Sequence, residues 1–189
     1  MSPKAVGKRK TTGDDEILYD LIDSKTVLIS YNTTDPRVSL SLTKDKDSYK
    51  MYVADIGLFV TLMFFDRPSV ENEIYAKLLS YKLPANLGFL YENLVDQMIG
   101  SYRKRTLLSH VGKKGSTHYY EIDFLVSKGT KISPIEVKSS GTGKHESLSV
   151  FMQEYSKNVA ESFILSQKDI NKENGIHFLP VYLTSFAVR

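Results

Sequence analysis

The feature that most constrains this chain is a change of hydrophobic period near Thr106. Before it, Leu87, Tyr91, Leu94 and Met98 fall along one stripe at helical spacing, which predicts a helix over Leu87–Tyr102. After it the period is two. Thr106–Val111 and Thr117–Val126 read as strands joined by the hairpin-type connection GKKGS, and Gly129 turns the chain into a third strand, Lys131–Ser139. Ser147–Lys157 reads as a helix, and Ser162–Ser166 and His177–Leu183 as further strands. The order α-β-β-β-α-β, with one late strand added, predicts an α/β fold in which helices flank a mixed sheet.

The first half is less regular. Residues 1–13 carry four basic and no acidic residues and read as a flexible basic tail. Asp14 and Asp15 open a helical pattern with Ile17, Leu18, Leu21 and Ile22 on one face. Val27–Tyr31 reads as a strand, and Val38, Leu40 and Leu42 alternate with serines as a second. A charged loop, TKDKDS, then leads to Lys50–Asp55, where Met51 and Val53 alternate with Tyr52 and Ala54. Residues 55–83 read as helical. These patterns divide the chain into the tail, a small helix-and-strand linker unit at 14–83 that covers the apolar run Ile56–Phe65, and a main domain at 84–189.

Composition excludes several chemistries. The 189 residues include no cysteine, which removes disulfides, zinc–thiolate sites and cysteine nucleophiles. The longest apolar run, Ile56–Phe65, has ten residues, against the ~20 that a membrane-spanning helix requires. The N-terminus shows no signal-peptide pattern, so a soluble protein of a reducing cytoplasm, with no membrane partner, is expected. The net charge of +3 permits a nucleic-acid partner without arguing for one. No P-loop is present: Gly141-Thr142-Gly143-Lys144 lacks the earlier glycine. The histidines His110, His118, His145 and His177 stand at no metal-ligand spacing, and no G-x-S-x-G elbow occurs.

What remains is charge on apolar strands. In Lys131–Ser139 (KISPIEVKS), Ile135 and Val137 point to one face while Glu136 and Lys138 share the other, about 7 Å apart. In EIDFLV, Ile122, Phe124 and Val126 are expected in the core, with Asp123 opposite, beside Glu121 and Leu125. If these strands pair, Asp123 and Glu136 converge on one hard cation, Mg²⁺ or Mn²⁺, and Lys138 sits beside it to hold or polarise a water. Glu92, on the preceding helix among apolar neighbours, needs a partner, which a metal-bound water or Lys138 would supply. The alternative is a solvated strand face with surface ion pairs of little energetic worth. The apolar flanks of Glu136 argue against it.

Between Asp96 and Glu121 the chain has no acid but carries Arg103, Lys104, Arg105, Lys113 and Lys114. Arg103 to Arg105 also suit a helix C-terminus. Lys113 and Lys114, at a hairpin tip, read as phosphate contacts for DNA without sequence readout.

Glu92 on a helix, Asp123 on a strand and Glu136-x-Lys138 on the next strand resemble the PD-(D/E)xK nuclease superfamily, with Ile122 replacing the proline of its name. The blocks GFLYENLV, YEIDFLV and PIEVKS more narrowly resemble the uncharacterised nuclease-like C-terminal domain of bacterial and archaeal AAA-type ATPases. Upstream, VLISYNTTDPRVSLS and KMYVADIGL resemble the segment that joins ATPase to nuclease-like domain, winged-helix-like in that family. The resemblance implies a restriction-endonuclease-like core and DNA as substrate. It assigns Asp123 and Glu136 to the metal, and Lys138 and Glu92 to catalysis. It also implies a P-loop ATPase partner that this chain lacks, the chain being expected as a C-terminal fragment compatible with an oligomer. A catalytically inactive DNA- or protein-docking module of that ATPase is the other reading.

Overall fold

The computed structural model describes residues 12–37, 40–65, 88–102, 107–114, 118–139 and 145–189, of which 12–15, 64, 107–114 and 118 by backbone alone. The elements run α1 (Thr12–Asp23), β1 (Val27–Thr33), β2 (Lys44–Val53), α2 (Ile56–Phe64), α3 (Gly88–Tyr102), β3 (Leu107–Lys114), β4 (His118–Lys128), β5 (Lys131–Val137), α4 (Glu146–Glu154), β6 (Ser162–Ser166), β7 (Asn171–Glu173), β8 (Ile176–Pro180) and α5 (Thr184–Ala187). The strands form one mixed sheet in the order β2-β1-β3-β4-β5-β6-β8-β7. The α/β class and the α-β-β-β-α-β order of the second half are those expected.

Two apolar layers hold the helices to the sheet. Val95 and Ile99 of α3 and Ala187 of α5 pack on Phe124, Val126, Ile135, Val137, Phe163 and Leu165. Leu148 and Phe151 of α4 pack on Ile122, Leu125, Ile132 and Ile164 across the other face. Strand β6 is buried along its whole length, as a parallel strand covered on both faces must be. The remaining order comes from the turns. Asn174 and Gly175 both adopt positive φ (49° and 78°) between the paired Glu173 and Ile176, a two-residue hairpin that favours Asn-Gly.

Three expectations change. The charged segment Lys44–Ser48 is strand rather than loop, and the strand expected around Leu40 is a turn. As the outermost strand, β2 satisfies its backbone against β1 and leaves polar side chains to water. Within it Tyr52 is buried and Met51 is 54 % exposed, so Lys50 and Tyr52 face inward. The segment expected as a separate unit at 14–83 shares the main sheet: β1 pairs in parallel with β3 through Ser30↔Leu107, Tyr31↔Leu108 and Asn32↔Ser109. Two strands alone bury too little to stand apart, and β3 would otherwise be an open edge. The tail at 1–11 and most of the helix expected over 55–83 (66–83) lie outside the described residues.

The third change is a bulge. Leu108 pairs with Leu125 and His110 with Ile122, so β4 advances three residues while β3 advances two. The extra residue breaks the alternation. Ile122 and Leu125 join the α4-side core, while Phe124 joins the α3-side core.

Polar contacts fix α3 against β2. The buried Asn93 side chain accepts from Val53 N and donates to Val53 O, both at 2.8 Å, and Gln97 Oε1 accepts from Ile56 N. Asn93→Ala is expected to destabilise the fold by about 2–4 kcal/mol, because each partner left unpaired costs ~1–3 kcal/mol; urea unfolding measures it. One turn from Glu92, Asp96 is fully buried and neither carboxylate oxygen has a hydrogen-bond partner among the described residues. Burial pushes its pKa up to about 7. The folded carboxyl therefore keeps its proton where the unfolded one, with a pKa of ~3.9, has lost it. Stability falls as pH rises from ~4 to ~7, by up to ~1.4 kcal/mol per unit from this group. In urea unfolding across that range, Asp96→Asn flattens the pH dependence.

Candidate functional site

The β4–β5 ladder runs from Lys128↔Lys131 to Phe124↔Ile135 and ends there. Just beyond it the Asp123 carboxylate takes over: its Oδ2 accepts from the Val137 amide at 2.9 Å. Asp123 is thereby fixed against the strand that carries Glu136 and Lys138. The bulge sets Asp123 on the α3 side together with Phe124, where Ile122 was expected to join Phe124 in one core.

On that side the acids surround a lysine that the sequence reading did not single out. The Lys50 ammonium, reaching in from β2, lies 2.6 Å from Glu121 Oε1, 3.2 Å from Glu92 Oε2 and 3.3 Å from Asp123 Oδ1. The Tyr52 hydroxyl, two residues along the same strand face, also donates to Glu92 Oε2 at 3.2 Å. Glu92 thus finds its partners in Lys50 and Tyr52, where Lys138 or a metal-bound water was expected.

The electrostatics follow from burial. Desolvation, reinforced by the nearby Asp123 charge, pushes the Glu92 carboxyl up, and Lys50 and Tyr52 pull it partly back. Burial works against the Lys50 ammonium, but the charges of Asp123, Glu92 and Glu121 outweigh it and hold its pKa above the usual lysine value. Burial and the Glu92 charge raise the Tyr52 phenol, which stays a donor.

Glu136 occupies the other side of β5, between Ile135 and Val137 of the α3-side core. It is 5 % exposed. Its Oε1 lies 2.5 Å from the Lys138 ammonium, while Oε2 is buried without a hydrogen-bond partner among the described residues. Burial raises its carboxyl, Lys138 opposes that rise, and Asp123 adds to it. His145, read from the sequence as an ordinary histidine, precedes α4 with its ring edge-on to Phe178, its Nδ1 buried without a partner among the described residues and its field acting on Glu136. The expectation that Asp123 and Glu136 share one face is therefore corrected: they flank the end of β5 on its two sides, near enough for the Asp123 charge to act on Glu136.

Among the described residues no group of three or more His, Asp or Glu side chains converges as a metal site. A hard cation such as Mg²⁺ does not need three, since it keeps several waters and takes one or two carboxylates plus substrate phosphate. The orphaned Glu136 Oε2 and the adjacent Asp123 are of the right chemistry for it. Lys113 and Lys114 end β3, their backbones paired with Tyr119 and His118. Arg103 and Arg105 lie outside the described residues.

Lys50 and Tyr52 carried only a misleading pattern in the sequence, since alternation with the apolar Met51 would turn Met51 inward, whereas Met51 is exposed and Tyr52 buried. Glu121 and Asp96 carried none that separates them from solvated acids.

No helix among the described residues is long and apolar enough to cross a membrane. Neither the curated proteins nor the solved structures offer a match. A family model described as "Domain of unknown function (DUF4143)" matches residues 87–184, from the start of α3 to the first residue of α5, just over half of the chain. That family is found at the C-terminus of AAA-ATPase-like proteins. The chain belongs to the DUF4143 family.

Proposed function

We infer that this chain is a nuclease domain of the PD-(D/E)xK kind that hydrolyses DNA phosphodiester bonds with Mg²⁺ or Mn²⁺ and works beside an AAA-type P-loop ATPase. The observation that carries the reading is the hydrogen bond from the Val137 amide to Asp123, which ties one acid to the middle of Glu136-x-Lys138. Two carboxylates and an ammonium then stand at one strand end, with one buried carboxylate oxygen unused.

In this reading Asp123 and Glu136 hold the metal, which supplies a water of lowered pKa and neutralises phosphate charge. Lys138, on the same strand face as Glu136, orients the attacking water or stabilises the charge gathering on the phosphate. Glu92 holds a water from the helix side. Arg103, Arg105, Lys113 and Lys114 bind phosphates along the DNA backbone. A second reading, a catalytically silent docking module of the ATPase, is favoured by one observation: the acids Glu92, Glu121 and Asp123 already have a cation, Lys50.

The test is Mn²⁺- or Mg²⁺-dependent cleavage of DNA, with the chain alone and joined to an ATPase. Glu136→Gln and Lys138→Ala are each expected to lower the rate ~10²–10³-fold, the usual cost of a positioned electrostatic group. Lys113→Ala with Lys114→Ala is expected to weaken DNA binding whatever the sequence and to flatten its salt dependence. Cleavage that survives Glu136→Gln refutes the site. Absence of cleavage in both forms, with no Mn²⁺-dependent rise in melting temperature, supports the docking module.

A further inference from the structure

We propose that Lys50 is a built-in counter-cation that competes with the divalent metal for Asp123 and with the metal's water for Glu92, so that metal entry requires its ammonium to leave the acid cluster. The inference rests on the nuclease reading of the same site and adds a control element from β2.

The oxygens carry the argument. Asp123 has no oxygen free of a proton donor: Oδ2 accepts from the Val137 amide and Oδ1 faces Lys50 Nζ. The Val137 bond holds the acid to β5, and breaking it would expose a buried amide to a loss of ~1–3 kcal/mol. Oδ1 is the exchangeable oxygen, and its occupant is Lys50. Glu92 Oε2 likewise receives both Lys50 and the Tyr52 hydroxyl. An ammonium has three donors, and three acids surround this one, so Lys50 is fully committed. A second cation on Asp123 Oδ1 would also repel it at short range.

Lys50 is suited to leave. It stands on the outermost strand of the sheet, whose ladder runs to β1, and its four-carbon stem lets the ammonium move without the backbone. Glu121, half exposed, gives it a neighbouring acid to retain when Asp123 and Glu92 are taken. Lys138 does not share this role, because its ammonium is engaged with Glu136 on the opposite side of β5.

Two measurements decide it, neither depending on cleavage. The first is Mn²⁺ affinity by titration calorimetry of the full chain, in wild type, Lys50→Met and Lys50→Arg, each with and without Asp123→Asn. Lys50→Met is expected to bind Mn²⁺ at least tenfold more tightly than wild type and Lys50→Arg no more tightly, with Asp123→Asn abolishing binding in all. A lysine that merely supports the fold would give the opposite sign, since loosening the acids weakens a metal site. The second uses wild type alone and covers the case in which Lys50→Met does not fold. Labelling with an amine-reactive acylating reagent, read by mass spectrometry, is expected to rise at Lys50 when Mn²⁺ is added. Mn²⁺ binding that depends on Asp123, unchanged or weakened by Lys50→Met and without a rise in Lys50 labelling, overturns the competition and leaves the site reading intact. No Mn²⁺ binding in any form overturns both.

Discussion

Carboxylates buried at the ends of apolar strands must be paired, and this requirement organises the structure around β4 and β5. An isolated ionised carboxylate inside a protein is far too costly to keep, so it loses its charge or finds a cation or strong donors. Asp123 has the Val137 amide and Lys50, Glu92 has Lys50 and Tyr52, and Glu136 has Lys138. Asp96 has no partner among the described residues and meets the same requirement by keeping its proton to about pH 7. The four acids illustrate two solutions to one problem. Those near the strand ends are paired with cations and remain available for chemistry. The one packed inside the helix–sheet interface is neutralised and is not.

Pairing at this site depends on distant parts of the chain being held in register. Lys50 is 42 residues from Glu92 and 73 from Asp123. The junction that brings β2 to α3 is the double hydrogen bond between Asn93 and the Val53 backbone, which treats the side-chain amide as a further strand. With Val53 fixed, Tyr52 lies against Phe124 at 5.8 Å, and Lys50, two residues away on the same strand face, reaches the acids. The bulge in β4 completes the arrangement by setting Asp123 and Phe124 on the same side of the sheet. One residue more or less in that strand would exchange the faces of its acids and its apolar residues.

Much of this could be read in the chain before folding, and the failures share a cause. The helix at α3 and strands β3 to β6 follow from local periodicity, and the Glu136-x-Lys138 pair follows from strand alternation. Strict alternation failed at β4, because a bulge leaves no local mark in EIDFLV. The charged Lys44–Ser48 segment has the composition of a loop, and its strand character comes from pairing with β1. The β7–β8 hairpin carried a local signal, Asn174-Gly175, that the sequence reading passed over. Lys50 could not be assigned at all. A lysine becomes part of a site only through the acids that fold around it, and those lie in other segments.

The sheet order gives that long-range contact a further meaning. Strands β4 and β5, with α3, carry the acids within one contiguous stretch, and the family match begins with α3. Lys50 comes from outside that stretch, on β2. The edge strand takes no part in the α4-side core, but Tyr52 lies in the α3-side core and Val53 is tied to Asn93, so β2 is held while the flexible stem of Lys50 is not. A swing of the Lys50 side chain by a few ångström would remove the ammonium from Asp123 and Glu92, because an ion pair at ~3 Å weakens rapidly with separation once water enters. The chemistry of the acids and the control of their charge are thus carried by different segments. The family stretch supplies the carboxylates, and the strand preceding it supplies the cation that neutralises them.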